Sequence, residues 1–278
     1  YFYIIFPIAF VCLMVAGGGF SSTLIIGVIL FLTAIIAGLE KKYICQMILI
    51  GVAGASLIFG TYYISGGKLF TRVETVISRL ENRDPLKELH AAKRGSLQFQ
   101  NILDDNMQEI SAKIAISEGG LFGKGPGNST QRYVVAVMYE DYMYAFIVEE
   151  YGLLFSIFIM ILYGSLIARG AVIVRYCDNR YVRTLIAGLI LLISGQALFH
   201  MLVNADALFF HTGQTLPMIS YGTSSFLAMS IAFGVILSVS RMAQDKLREE
   251  NRQKELAAAA ENGTTEDSEA ENEPKTEE

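Results

Sequence analysis

Three acids sit where a polar stretch gives way to an apolar run: Asp141, Glu149 and Glu150. A carboxylate can take a proton from a hydroxyl or hold a divalent cation. A free aspartate, with pKa about 3.9, is a weak base near neutral pH, and desolvation by the flanking Tyr139, Tyr142 and Tyr144 would raise that value. The plainer role for Asp141 is an acid at a helix N-terminus, favoured by the macrodipole. Glu140 is the adjacent rival. On a continuous helix Glu149 and Glu150 fall about 12–14 Å beyond Asp141. A carboxylate at such a depth in a membrane costs roughly 2.5–3.5 kcal/mol. They should therefore face a polar cavity or a cation, as a structural ion pair or as substrate contacts.

Further polar groups recur along the chain. Gln196, His200 and Asn204 stand four residues apart, which puts them on one slowly drifting helical stripe. Such a stripe in a membrane helix faces other helices or a groove rather than lipid. His200 has no partner His or Cys at metal-binding spacing. Pro217, Ser220, Tyr221, Gly222, Ser224 and Ser225 open the last apolar run. Their hydroxyls suit either backbone freed by Pro and Gly or a substrate head group. The stretch 119–129, GGLFGKGPGNS, resembles a phosphate cradle but fails the nucleotide patterns. Glu118 stands at the first glycine position of a P-loop, and Asn128 replaces the last glycine of GxGxxG. A tight turn is the plain reading, with glycines at φ > 0. Its N–H groups and Lys124 could still meet a lipid-linked diphosphate.

These residues need elements to carry them. The 278-residue chain is 53% hydrophobic, and its apolar residues fall in long runs. Six spans are expected, at 1–17, 21–39, 43–65, 143–168, 182–204 and 217–240, each long enough as a helix to cross ~30 Å of hydrocarbon. The connections holding Lys41, Lys42, Arg169, Arg175, Arg180 and Arg183, and the segment after the last span, are basic. The opposite connections 17–22 and 205–216 contain no Lys or Arg. The positive-inside rule puts the basic side in the cytoplasm. The fold class is an all-α multi-pass transmembrane bundle. Its parts are three spans over 1–65, a large extracytoplasmic loop over 66–142, three spans over 143–240, and 241–278. That last part reads as a charged helix to 256 followed by a disordered acidic tail. Net charge is −5 and no basic face is evident, so nucleic acid is not an expected partner. Cys12, Cys45 and Cys177 are widely spaced and form neither a disulfide framework nor a zinc site.

Four segments in order carry a resemblance: AKIAISEGGLFGKGPGNS at 112–129, DYMYA and EEYG at 141–152, QAL with Asn204, and GQTLPMISYGTSS at 213–225. Together they resemble the SEDS family, the shape, elongation, division and sporulation proteins. The GPGNS ending is more similar to its division members, the FtsW type. There are departures. The family's Leu-Pro-Glu before its key Asp reads Val135-Ala136-Val137 here, its Gln-Pro-Asp-Leu-Gly outer loop is replaced by GGGFSST at 17–23, and loop 205–212 lacks the usual Pro. The family has about ten spans, which implies that the first four precede this sequence.

The resemblance implies a peptidoglycan glycosyltransferase that polymerises lipid II at the outer face of the bacterial cytoplasmic membrane, in division at the septum. It implies Asp141 as the essential carboxylate. Lys124, Glu149, Glu150, His200, Asn204, Ser220 and Ser224 are the expected substrate contacts, and a divalent cation such as Mg or Mn is a candidate cofactor. Expected partners are the bilayer, a class B penicillin-binding transpeptidase and other division proteins. A flippase of lipid-linked precursors is the alternative, and a recruiting scaffold is a third class.

Overall fold

The computed structural model describes residues 2–16, 20–64, 89–135, 137–208 and 213–270. The expectations for 17–19, for 65–88 of the outer loop, for Ala136, for 209–212 and for 271–278 lie outside the described residues. The elements are α1 (Phe2–Ala16), α2 (Phe20–Ile36), α3 (Lys41–Ile64), α4 (Leu97–Gly119), a 3-10 turn (Gln131–Tyr133), α5 (Met143–Tyr176), α6 (Arg180–Asn204) and α7 (Thr223–Ala270). No strand occurs among the described residues.

The membrane reading rests on helix length and apolarity. Met143–Tyr176, Arg180–Asn204 and Thr223–Leu256 are long and apolar enough to cross a membrane, with mean hydropathy 2.2, 2.0 and 1.8. Shorter apolar stretches run Phe6–Val15 and Ser22–Ile36. The chain is thus an all-α integral membrane protein. Between membrane helices apolar side chains gain little by leaving lipid, so close packing must hold the bundle. α6 is its centre, touching α2, α5 and α7. Ile186, Ile190 and Ile193 of α6 pack on Met229, Ala232 and Ile236 of α7. Ala197 and Met201 pack on Ile147 and Val148 of α5. Gly188 and Gly195 leave room for Thr33 and Ile29 of α2.

Local signals explain the helix ends. Ser96 caps α4 by accepting from the Phe99 amide at 3.1 Å, and Asn179 caps α6 by accepting from the Tyr181 amide at 2.9 Å. Arg180 donates to the Ala37 carbonyl through Nη2 at 2.6 Å and Nε at 3.1 Å, which ties the end of α2 to the start of α6.

Several features differ from the sequence expectation, among them the end of α5 at Tyr176 rather than 168. The outer stretch contains the 23-residue α4, whose Ala112 and Ala115 pack on Val135, Met138, Ala145 and Phe146. α5 is not one rod, because Gly152 breaks it at φ 83, ψ 174. The last span begins at Thr223 rather than 217, since Pro217 and Gly222 bracket a turn in which Met218 takes φ 65. The helix continues to Ala270 instead of ending at 256, as the strong helix formers Glu255, Leu256 and Ala257–Ala260 would favour.

Candidate functional site

The geometry gathers at the entry to α5. Three successive carbonyls are held by partners far away in sequence. Tyr139 O accepts from the Tyr221 amide at 2.9 Å, Glu140 O from Ser220 Oγ at 2.7 Å, and Asp141 O from Asn204 Nδ2 at 3.2 Å. The backbone carrying both carboxylates is therefore fastened to α6 and to the turn before α7. The Asp141 side chain is half-buried. Burial first, and the negative charge of Glu140 second, raise its pKa above the usual aspartate value. The Gly213 backbone comes so near that a Cβ there would stand 3.1 Å from Asp141 Oδ2.

The α6 stripe serves the first turn of α5. His200 Nδ1 faces the Gln214 carbonyl at 2.6 Å. A carbonyl only accepts, so Nδ1 carries the proton and Nε2 is the acceptor, here of the Tyr144 amide at 3.3 Å. Asn204 Oδ1 accepts from the Ala145 amide at 3.3 Å. Two N–H groups that a helix start leaves unpaired are thus satisfied. Gln196 donates to the Thr215 carbonyl at 3.0 Å. His200 and Asn204 are buried and hold backbone, a framework role. The same applies to Ser220, whose hydroxyl accepts from Leu216 N and donates to Glu140 O. Ser224 is exposed at the first turn of α7.

The glycine turn has an unexpected partner, the break in α5. Lys124 N donates to Glu149 O and Gly125 N to Glu150 O, each at 2.9 Å. On the other side of the break, Leu153 N donates to Gly120 O at 3.0 Å and Leu154 N to Leu121 O at 3.3 Å. A broken helix survives in lipid only where protein satisfies its freed backbone, and the turn does so on both sides. Gly120, Gly123, Gly125 and Gly127 all have positive φ. A Cβ on Gly123 would collide with the Glu150 carbonyl, and one on Gly152 with Leu121 O and Gly123 N.

The two glutamates before the break are buried. Glu149 accepts from Ser129 Oγ at 2.5 Å, Lys124 Nζ at 2.7 Å, Thr130 N at 2.9 Å and Thr130 Oγ1 at 3.0 Å. Glu150 lies 3.8 Å from Arg132 Nη1 and accepts from Ser129 N at 3.4 Å. Lys124 also bonds Glu118. Burial disfavours the lysine's charge, but the bonds to Glu118 and Glu149 outweigh it and raise its pKa. Two carboxylates therefore engage Lys124, and Glu149 is internally paired.

A groove of about 690 Å³ opens at Glu140, next in sequence to Asp141, lined by residues that include Tyr139, Glu140, Met143, Ser220, Tyr221 and Phe226 and not by Asp141 itself. Glu140, the rival acid in the sequence, faces it. Arg132, which the sequence reading did not single out, stacks on Tyr133 with 4.7 Å to the ring centroid. Its only sequence signal is being the basic residue next after Lys124. Among the described residues, no three His, Cys, Asp or Glu side chains form a ready metal site. Asp141 and Glu140 offer two carboxylates, which suits a hard cation that also takes water and phosphate oxygens.

Comparison with known proteins follows the same stretch. The family of FtsW, RodA and SpoVE, described as "Cell cycle protein", matches residues 1–245. The probable peptidoglycan glycosyltransferase FtsW of Bacillus subtilis (strain 168) is 29% identical over 241 residues, covering 86% of this chain and 55% of that protein. The probable peptidoglycan glycosyltransferase FtsW of Caulobacter vibrioides is 37% identical over 137 residues, 49% of this chain and 35% of that protein. The stage V sporulation protein E of B. subtilis is 34% identical over 144 residues, 51% of this chain and 39% of that protein. The chain thus spans about half the length, or less, of these relatives.

Proposed function

The chain belongs to the FtsW, RodA and SpoVE family of cell cycle proteins, and from that premise we propose that the whole protein is a peptidoglycan glycosyltransferase. It polymerises lipid II at the outer face of the bacterial cytoplasmic membrane, and its setting is division at the septum beside a class B penicillin-binding transpeptidase. The similarity to FtsW proteins of two bacteria supports the activity. The observation that carries the site is Asp141, half-buried, with its pKa raised, on backbone fastened beside a groove.

Asp141 accepts the proton of the acceptor sugar's hydroxyl as that oxygen bonds to the donor's anomeric carbon. The bond from that carbon to the diphosphate oxygen breaks, and the lipid diphosphate leaves with the electron pair. Arg132, which bonds the Tyr133 hydroxyl and lies 3.8 Å from Glu150, is the cation we assign to the departing charge. A divalent cation, if the protein uses one, is held by Asp141 and Glu140 and supplies charge neutralisation at the diphosphate. The acids that recommended a flippase do not favour it here, since Glu149 is paired within the protein.

The test is glycan-strand formation from lipid II by the purified full-length protein with its transpeptidase partner. Asp141→Asn should lower the rate by about 10²–10⁴-fold, the usual contribution of a positioned base. A normal rate in Asp141→Asn would refute the assignment.

A further inference from the structure

We propose that the glycine turn and Glu149 form a clasp that positions Asp141, with Lys124 and Glu149 as positioning residues; this rests on the reading of Asp141 as the base. The chain from Ser129 to Glu149 is a closed excursion. It departs from the Glu149 carboxylate, where Ser129 Oγ and the Thr130 amide donate to it, and it returns along α5 to Glu149 itself. Asp141 lies on its far side. The Gln131 amide, at the start of the 3-10 turn, also donates to Glu149 Oε1 at 3.4 Å. The Arg132 amide follows by donating to Ser129 Oγ at 3.2 Å. One buried carboxylate thus fixes the direction in which the excursion sets out.

Glu149 is itself fixed by the break. Its carbonyl accepts from Lys124 N, and its carboxylate accepts from Lys124 Nζ. Lys124 therefore grips one residue from both ends, while Gly120 and Leu121 hold the strand of backbone beyond Gly152. The turn can reach these atoms only because Gly123 and Gly152 lack side chains. The far rim is fastened separately by Tyr221, Ser220 and Asn204. With both margins held, the backbone that carries Asp141 is fixed beside the residues that line the groove. Loosening the Glu149 margin frees the excursion at its base, and a shift of ~1 Å at a reacting group can cost about 100-fold in rate.

The experiment compares full-length Lys124→Met, Lys124→Arg, Glu149→Gln and Asp141→Asn, each with the transpeptidase partner. Lipid II kinetics and amide hydrogen exchange are read on the folded fraction. The clasp predicts that Lys124→Met and Glu149→Gln lose roughly 10–100-fold in kcat with KM changed less than about twofold. Exchange should quicken in peptides covering 129–141 and not in α6. Lys124→Arg should recover most of the rate. A staple that only holds the fold would lower the folded yield and leave kcat per folded molecule unchanged, and that result would overturn the proposal. Because Glu149→Gln could fail to fold, Lys124→Met, at a less buried residue, decides alone if necessary. Should Asp141→Asn be fully active, the catalytic reading falls and the clasp's purpose falls with it. Should Asp141→Asn be inactive while Lys124→Met keeps full kcat, only the clasp is refuted.

Discussion

The side-chain nitrogen of Asn204 donates to the backbone carbonyl of Asp141 at 3.2 Å while its oxygen accepts from the Ala145 amide at 3.3 Å. One buried amide therefore spans the junction between the turn and α5. Asn204→Ala leaves an N–H and a carbonyl unpaired at this junction. A stability loss of about 1–3 kcal/mol follows, the usual cost of an orphaned buried polar group. Thermal melting of the detergent-solubilised protein measures it. Asn204→Asp keeps an acceptor for Ala145 N but loses the donor to Asp141. It also sets a buried carboxylate against the Asp141 and His200 carbonyls, so it should melt no higher than the alanine variant, and melting near wild type would contradict this geometry.

Asp141 and Glu140 make a prediction about pH. A base must be ionised, so activity rises with pH through the pKa of Asp141. Burial and Glu140 both raise that pKa, so the acid limb of the rate profile lies above the usual aspartate range. Glu140→Gln removes the second cause and leaves the first. The limb should move down but stay above the range of a free aspartate. Stability follows the same linkage with a definite sign. A carboxyl whose pKa is raised by folding binds more protons in the native state than in the unfolded state. Its contribution is intact below the unfolded pKa and is lost as pH rises through the folded one. At neutral pH the ionised Asp141 therefore destabilises the fold, and Asp141→Asn should melt higher than wild type while losing activity. A lower melting temperature would show that its charge is compensated.

Gly152 joins the two pieces of α5 in a conformation that an L side chain rarely adopts, and its missing Cβ leaves space for Leu121 O and Gly123 N. Strain alone costs roughly 1–3 kcal/mol, and the collision with backbone adds to it. Gly152→Ala should thus destabilise by more than ~2 kcal/mol. By contrast, Gly164, also in α5, has nothing within 4 Å of where its Cβ would stand. Gly164→Ala should melt as wild type or higher, by helix propensity. Similar melting of the two alanine variants would remove the case for the break.

The spanning helices were legible because their apolar runs are long, whereas α4, capped by Ser96, lacks such a run and was not read as a helix. The positive φ of Gly120, Gly123, Gly125 and Gly127 was also readable as turn chemistry. What the turn packs against was not. Glu149-Glu150-Tyr151-Gly152 sits in an apolar stretch with good helical pattern, and nothing local announces a break. It exists because backbone some thirty residues earlier satisfies it, a long-range relation that periodicity does not encode. The spacing of Gln196, His200 and Asn204 placed them on one stripe, yet whether that stripe met substrate or backbone depended on the amides of Tyr144 and Ala145. Glu140 was read as the lesser acid, and its place on the groove comes from the turn that fastens its carbonyl to Ser220.

Gly213 tests Asp141 from the opposite side without touching its chemistry. A Cβ at 213 would lie 3.1 Å from Oδ2, 3.6 Å from Cγ and 3.7 Å from Oδ1. Those distances are tight for carbon against a carboxylate but short of a collision. The carboxylate must give way by a few tenths of an ångström. Gly213→Ala should therefore keep the wild-type melting temperature within a degree or two and lower kcat by roughly tenfold, scaled from ~100-fold per 1 Å. The rise in kcat/KM with pH should move as well, because a methyl group beside Asp141 desolvates it further and desolvation raises a carboxyl pKa. An unchanged kcat with an unchanged pH profile would mean that the Asp141 carboxylate does not act from the place where this structure holds it.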